Sequence, residues 1–364
     1  MNRLPTICFA AAIVAAVAGF VGPFMGDSPL VGQRANAQEK PAAGVLGAGL
    51  MFPMPRNPAD ETNWLDSAIA WTDQVHFYNW RIQRHVHSKR CRLLDADDKT
   101  LATGTLDECQ ARLNQIKRDE KLEPMKGKAV VLLHGLGAPR WSMKPLAGYL
   151  EKNGGYKTFV VEYASLRSSI DDQARSLANV IRNLDGIEEI NLIGHSLGNI
   201  VIRRYLAGDK SAEDGWKPDA RVARVVMIAP PNHGAITAVQ LADTATFKTI
   251  FGAAGQQLGK TWKKLEPRLA TPRDFGIIAG GYGNDLGLNP LVPGDDDGRI
   301  SVETTRLAGA SDFQVIGAVH EFIIFDPRTF RLTLRYLDSG YLVSASQKRG
   351  IPAARTADLS RPRQ

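Results

Sequence analysis

"EEINLIGHSLGNIVI", residues 188–202, sets a serine between two glycines, after a short apolar run and before a helix-like one. Roughly one chain in eight of this size would carry G-x-S-x-G by accident, so the pentapeptide decides nothing alone. Its surroundings decide more. "EINLIG" (189–194) is a continuous apolar run of strand length, and beyond the serine Leu197, Ile200, Val201 and Tyr205 share one helical face, with Arg203 and Arg204 near the negative helix end. A strand that turns this sharply into a helix crowds its own backbone, so glycine at 194 and 198 relieves a clash that a Cβ would create. The expected outcome is a strand, a tight turn and a helix that lift the Ser196 hydroxyl at the carboxyl edge of a sheet.

Working outward, the same texture fills the chain after Gly127. Apolar runs of strand length stand at 129–135, 157–163, 223–230, 274–281 and 312–318, in addition to 189–194. Most lack polar alternation, as strands covered on both faces do. Between the second and third of them, Ile170, Ala174, Leu177, Ala178 and Ile181 form one stripe of an amphipathic helix. Strands alternating with helices predict an α/β fold with a mostly parallel central sheet and helices on both faces.

A serine hydroxyl attacks carbonyl carbon only when an imidazole takes its proton. The histidines are His76, His85, His87, His134, His195, His233 and His320. In a sheet of this kind the order along the chain is serine, acid, histidine, each at the end of a successive strand. His320 ends the last apolar run, "DFQVIGAVH", and has acids in a loop upstream, so it is the expected base. His233, in "PPNHGA", follows the very next strand and leaves no room for an acid loop; it reads as a pocket or structural residue. The acid falls in "PGDDDGRISVE", where Asp295, Asp296 and Asp297 compete. Asp297 is preferred because it stands directly before Gly298 and the short "RISV" run, and Asp295 comes second. An EF-hand register aligned on Gly298 would put Pro293 first and Thr304 twelfth, neither a carboxylate, so that motif fails, while a looser calcium site stays open. No metal or cofactor is called for. Backbone N–H groups of Leu197 and of Leu136, in the loop His134-Gly135-Leu136-Gly137, are the expected oxyanion donors. His134 and His195 are expected to support the loop and the turn, with His195 pointing away from the base.

With these parts in order, "VVLLHGLG", "GHSLGN", "APPNHGA" and "DGRISVE" can be placed. From Gly127 to about Gly340 the chain resembles the α/β-hydrolase superfamily, and within it the bacterial lipase/esterase branch. The resemblance implies an eight-stranded, mostly parallel sheet, of which six strands are legible here. It also implies a serine hydrolase cleaving carboxylic esters, lipid or small acyl esters, through an acyl-enzyme. An acyltransferase using the same triad, or a non-catalytic binding protein of the same fold, are the rival readings. Residues 235–272 interrupt the strand–helix rhythm and read either as a helical cap, with Phe247 and Phe251 lining an acyl pocket, or as packing helices. Trp141 and Met143, after the oxyanion loop, are further pocket candidates.

The ends of the chain read differently. Residues 1–37 have a basic start, an apolar stretch and Ala35-Asn36-Ala37, the layout of a cleavable signal peptide that would place the protein in the periplasm or outside the cell. An uncleaved membrane anchor is the alternative. Residues 38–63 are a Pro/Gly/Ala-rich linker, and 64–126 an N-terminal addition. In that addition a helix is expected from Trp64 to Trp80, then two strands around an Asp-rich turn, then a helix opened by a Thr105/Glu108 capping box. Cys91 and Cys109 are a plausible disulfide in an oxidising compartment. The formal charge of +7 falls to +6 without Arg3, Asp27 and Arg34, and Lys348, Arg349, Arg355, Arg361 and Arg363 against Asp358 hold +4 of that. A nearly neutral body gives no reason to expect a nucleic-acid partner. Residues 341–364 read as a disordered basic tail, with transient attraction to an anionic membrane surface as the minority reading.

Overall fold

Strand β1 (Trp71–Phe77) forms where the residue pattern of 64–80 predicts a helix. Its polar residues Asp73, Gln74 and His76 are buried and hydrogen-bonded rather than solvated. A bulge between Asp73 and Val75 also shifts the register. A bulged strand covered on both sides has no period of two to read. This computed structural model describes residues 69–210, 215–241 and 245–353, the side chains of 241–251 excepted. The segments read as signal peptide (1–37) and linker (38–63) lie outside the described residues.

β1 continues into an antiparallel meander with β2 (Trp80–His85), β3 (Cys91–Leu94) and β4 (Thr100–Gly104). The Asp-rich stretch makes the β3–β4 turn, where the Asp95 carboxylate accepts from the Asp97 and Lys99 amides, both at 2.9 Å. Helix α1 (Leu106–Asp119) opens on the capping box: Thr105 Oγ1 accepts from Glu108 N at 3.2 Å, and Glu108 Oε2 accepts from Thr105 N at 2.7 Å. Cys109 lies on the buried face of α1 and Cys91 at the start of β3, yet they are free thiols, not the disulfide expected from the sequence. Each fills core space as a small apolar side chain, and burial pushes both thiols up.

The main sheet has six strands: β5 (Gly127–Leu133), β6 (Lys157–Val161), β7 (Ile187–His195), β8 (Val222–Ile228), β9 (Phe275–Gly280) and β10 (Asp312–Ile316). They lie in the order β10-β9-β8-β7-β5-β6, every neighbouring pair parallel. The resemblance implied eight strands; among the described residues the N-terminal strands build their own sheet instead of extending this one. Alternate residues of β5 face two cores. Ala129, Val131 and Leu133 pack with Leu177 and Ile181 of α3 (Ile170–Arg182) and Ile200 and Val201 of α4 (Leu197–Leu206). Val130 and Leu132 pack on the other face with Leu146 of α2 (Lys144–Gly154) and Tyr336 of α9 (Pro327–Ser339). Both faces being covered is what makes these strands read as unbroken apolar runs.

The insertion holds α5 (Ile236–Leu241), α6 (Ala245–Leu258) and the short α7 (Trp262–Leu265). Ala254, Leu258, Trp262 and Leu265 are buried in the same core as α3 and α4, so this half of the insertion packs against the body. A short α8 (Val302–Thr305) precedes β10. The end of the chain departs from the expected disordered tail: residues 341–353 are folded, and only 354–364 lie outside the described residues. The Asp312 carboxylate accepts from Leu342 N at 2.7 Å and Arg349 N at 2.8 Å, and Ile351 exchanges backbone bonds with Gly309 and Ala310. Basic composition suggested solvation, but Leu342 is buried and backbone groups do the anchoring.

Candidate active site

Ser196 sits between β7 and α4 with φ 51° and ψ −120°. Such a conformation costs an L residue about 1–3 kcal/mol, and the surroundings hold it in place. Ser196 N donates to Ile228 O at 3.0 Å, and Asn199 Nδ2 donates to the same carbonyl at 3.0 Å. Both flanking glycines are required by space. A Cβ at Gly194 would lie 2.6 Å from Asn199 N, and one at Gly198 2.6 Å from Leu133 O. Gly198→Ala is therefore expected to destabilise the fold by about 1–3 kcal/mol, read as a lower midpoint of urea unfolding. An unchanged midpoint would contradict the packing of α4 on β5.

His320 follows β10 and reaches back to the turn, its Nε2 2.9 Å from Ser196 Oγ. Its Nδ1 is 2.7 Å from Asp297 Oδ2. A carboxylate only accepts, so Nδ1 carries the proton and Nε2 turns a lone pair towards the serine hydroxyl. Asp297 is fully buried, and its other oxygen takes the Arg299 and Ile300 amides at 3.0 and 2.8 Å. Burial pulls the His320 pKa down, but the charges of Asp297 and Glu321 outweigh it and the net direction is up. The neighbouring aspartates are engaged elsewhere. Asp295 accepts from Tyr282 N and Gly283 N at 2.6 and 2.9 Å, and Asp296 from Gly298 N at 2.6 Å and Leu288 N at 3.1 Å. Among the three, Asp297 is the one that touches the imidazole.

The model of the alpha/beta hydrolase family matches residues 130–360, well over half of the chain. The chain is an alpha/beta hydrolase. No curated protein matches it. Solved structures with a similar fold include Bacillus licheniformis lipase BlEst2 in mature form, at 19% identity and TM-score 0.42, over 60% of this chain and 94% of that one. The propeptide form of that lipase aligns at 19% identity and TM-score 0.45, over 64% of this chain and 54% of the other. An esterase from Thermogutta terrifontis with malate bound aligns at 14% identity and TM-score 0.39, over 60% and 92%.

In this alpha/beta hydrolase the loop after β5 lies against the serine: a Cβ at Gly135 would fall 3.2 Å from Ser196 Cβ. Leu136 N has no acceptor among the described residues, and Leu197 N is the first amide of α4, with no partner inside the helix. Of the two expected donors, Leu136 N thus follows the glycine that lies against the serine and Leu197 N follows the serine itself, neither with an acceptor among the described residues.

Other expected site residues fall elsewhere. His195 does not point away from the base: its ring lies 5.0 Å from that of His320, and Nε2 donates to His320 O at 3.0 Å. Burial holds its pKa well below the ordinary value, so it serves as a neutral donor to the backbone of the base. Met143 is fully buried among Leu146, Ile193 and Ile228 on the α2/α9 face, so it is core rather than pocket. His233 is exposed with Nδ1 3.4 Å from Glu266 Oε1, and does not meet the serine or His320. Trp141 is half-buried on the 3-10 turn Arg140–Met143. Phe247 and Phe251 lie outside the described side chains. Sequence reasoning missed Glu321, which pairs with Arg299 beside the base, and the contact of His195 with His320, partners 125 residues apart.

Proposed function

We propose that this alpha/beta hydrolase cleaves carboxylic esters through an acyl-enzyme, with Ser196 as nucleophile, His320 as proton carrier and Asp297 as the anion that orients it. The observation that carries the reading is the unbroken line from Asp297 Oδ2 through His320, at 2.7 Å, to Ser196 Oγ, at 2.9 Å. As Oγ attacks the carbonyl carbon, its proton passes to Nε2, and the imidazolium is stabilised by the buried carboxylate. In this reading the Leu136 and Leu197 amides are the donors to the developing oxyanion, a charge that preorganised N–H groups stabilise. Collapse expels the alcohol, protonated by His320, and water repeats the sequence to free the acid.

An apolar rim favours lipid or other acyl esters as substrates. Val239 of α5, Tyr282, Leu286, Leu288 and Leu291 of the loop after β9, and Phe322 after the base are all exposed. They follow the carboxyl ends of strands, the side on which Ser196 stands. Export through removal of residues 1–37, with transient contact at a lipid surface, fits such a substrate. A panel of p-nitrophenyl esters from acetate to laurate, with and without phospholipid vesicles, tests the reading together with fluorophosphonate labelling. Stoichiometric labelling at Ser196 and turnover that rises with acyl length are expected. A protein that neither labels nor turns over any ester would overturn the proposal.

A further inference from the structure

The N-terminal sheet carries charges where a docking surface would need none. Asp73 of β1 is fully buried, and all its acceptor directions are used: Oδ1 by Arg81 Nη1 at 3.0 Å and Gln83 Nε2 at 2.9 Å, Oδ2 by His76 Nε2 at 2.9 Å and Glu162 N at 2.8 Å. Asp73 N also donates to Glu162 O at 2.9 Å, just past the end of β6. The Glu162 carboxylate lies 3.3 Å from His134 Nε2 without a hydrogen bond between them, and His134 Nδ1 donates to Gly135 O at 2.9 Å within the loop. Next along the chain, Thr72 Oγ1 accepts from Ala164 N at 3.2 Å, and Ser165 Oγ accepts from Gly137 N at 3.0 Å.

A second tether comes from the β3–β4 turn. Both oxygens of Asp98 take Arg140 Nη2, at 2.9 and 2.6 Å, and Asp98 also pairs with Arg81, which joins this tether to Asp73. Asp98 sits at φ 63°, where glycine or asparagine would serve the turn as well. Arg140 starts the turn that closes the loop after β5. The loop is therefore held at Gly137 and Arg140 by residues whose places are set by the N-terminal sheet, while Leu136 N before them is left unbonded. The buried Asp73–Arg81 pair lies within the N-terminal sheet, and the pair that crosses to the loop, Asp98–Arg140, is partly exposed, so neither adds much net stability. They do, however, fix direction.

We infer that the N-terminal sheet is a positioning device of the active site, in which Asp98 with Arg140, and Thr72 and Asp73 through the segment Glu162–Ser165, hold the loop 134–140 so that Leu136 N–H meets the oxyanion. The inference rests on the ester-hydrolase reading above. Asp98, Arg140 and Asp73 are positioning residues, acting through the loop and touching no substrate. One oxyanion donor is worth about 10²–10³ in kcat, and a misplacement of about 1 Å costs up to about 10²-fold.

The test uses the full chain with Asp98→Asn, which keeps the turn preference and removes the charge, and with Arg140→Met, which removes the other half on a half-buried turn and serves if the first variant does not fold. Expected is a fall in kcat for p-nitrophenyl butyrate of about 10- to 100-fold with KM within about twofold, and an equal loss of affinity for an alkyl boronic acid, which binds as a tetrahedral adduct. Arg140→Lys should recover part of both. Active-site titration corrects for any unfolded fraction. Unchanged kcat and boronate affinity, or a loss that appears in KM or in the titrated fraction alone, overturns the inference. A wild-type protein without ester turnover overturns the underlying reading instead, so the two failures are told apart.

Discussion

Ser196→Ala is expected to lower kcat for p-nitrophenyl esters by about 10⁴- to 10⁶-fold while leaving the folded state intact. The hydroxyl makes one side-chain hydrogen bond, to His320 Nε2, so its removal takes away the attacking atom and little packing. Alanine still has to adopt the φ of 51° that the turn imposes, so the backbone strain is unchanged and the melting temperature should stay close to wild type. Steady-state rates on purified protein, with thermal unfolding as a control, make the measurement. Turnover retained within tenfold would remove the acyl-enzyme from consideration.

Asp297→Asn should cost about 10⁴-fold in kcat, nearly as much, for a reason of orientation. The Arg299 and Ile300 amides already claim one oxygen of residue 297, so the asparagine amide oxygen is drawn there and its NH₂ is left facing His320 Nδ1. Two donors cannot face each other; the imidazole moves its proton to Nε2 and offers Ser196 a hydrogen instead of a lone pair. A second readout separates this from simple disruption. In the wild type the charges of Asp297 and Glu321 prevail over burial and raise the His320 pKa. The neutral base is the active form, so kcat/KM climbs with pH as His320 loses its proton, with the acid limb displaced upward from the ordinary imidazole value. Without the Asp297 charge that limb should move to lower pH. A limb that stays in place would show that the carboxylate exerts no electrostatic hold on the base.

What could be read from the sequence was set by short-range physics. Six strands are visible as apolar runs because the sheet is covered on both faces, and the turn at Ser196 is visible because Gly194 and Gly198 are demanded by atoms a few residues away or directly below. The capping box of α1 is visible because its partners are three residues apart. β1 escaped notice because its meaning lies in partners such as Glu162, 89 residues on, and burial of polar residues in a bulged strand imitates an amphipathic helix. The choice among three adjacent aspartates depended on a loop conformation that sends Asp295 and Asp296 to backbone amides and leaves Asp297 for His320. Composition misled at the C-terminus: residues 341–353 look like a polar tail, yet hold on through main-chain groups, which composition does not record. Met143 follows the loop after β5 in sequence but turns to the face of the sheet opposite the one on which Leu136 packs.

That C-terminal clasp sets an order of events. Strand β10 leads directly to the His320 imidazole, and the interior carboxylate of Asp312 at its head receives the Leu342 and Arg349 amides from further along the chain. Synthesis runs from the N-terminus, so these donors emerge after Ser196, Asp297 and His320. A chain that stops between His320 and Leu342 would thus hold Ser196, Asp297 and His320 and still lack a settled sheet edge beside them.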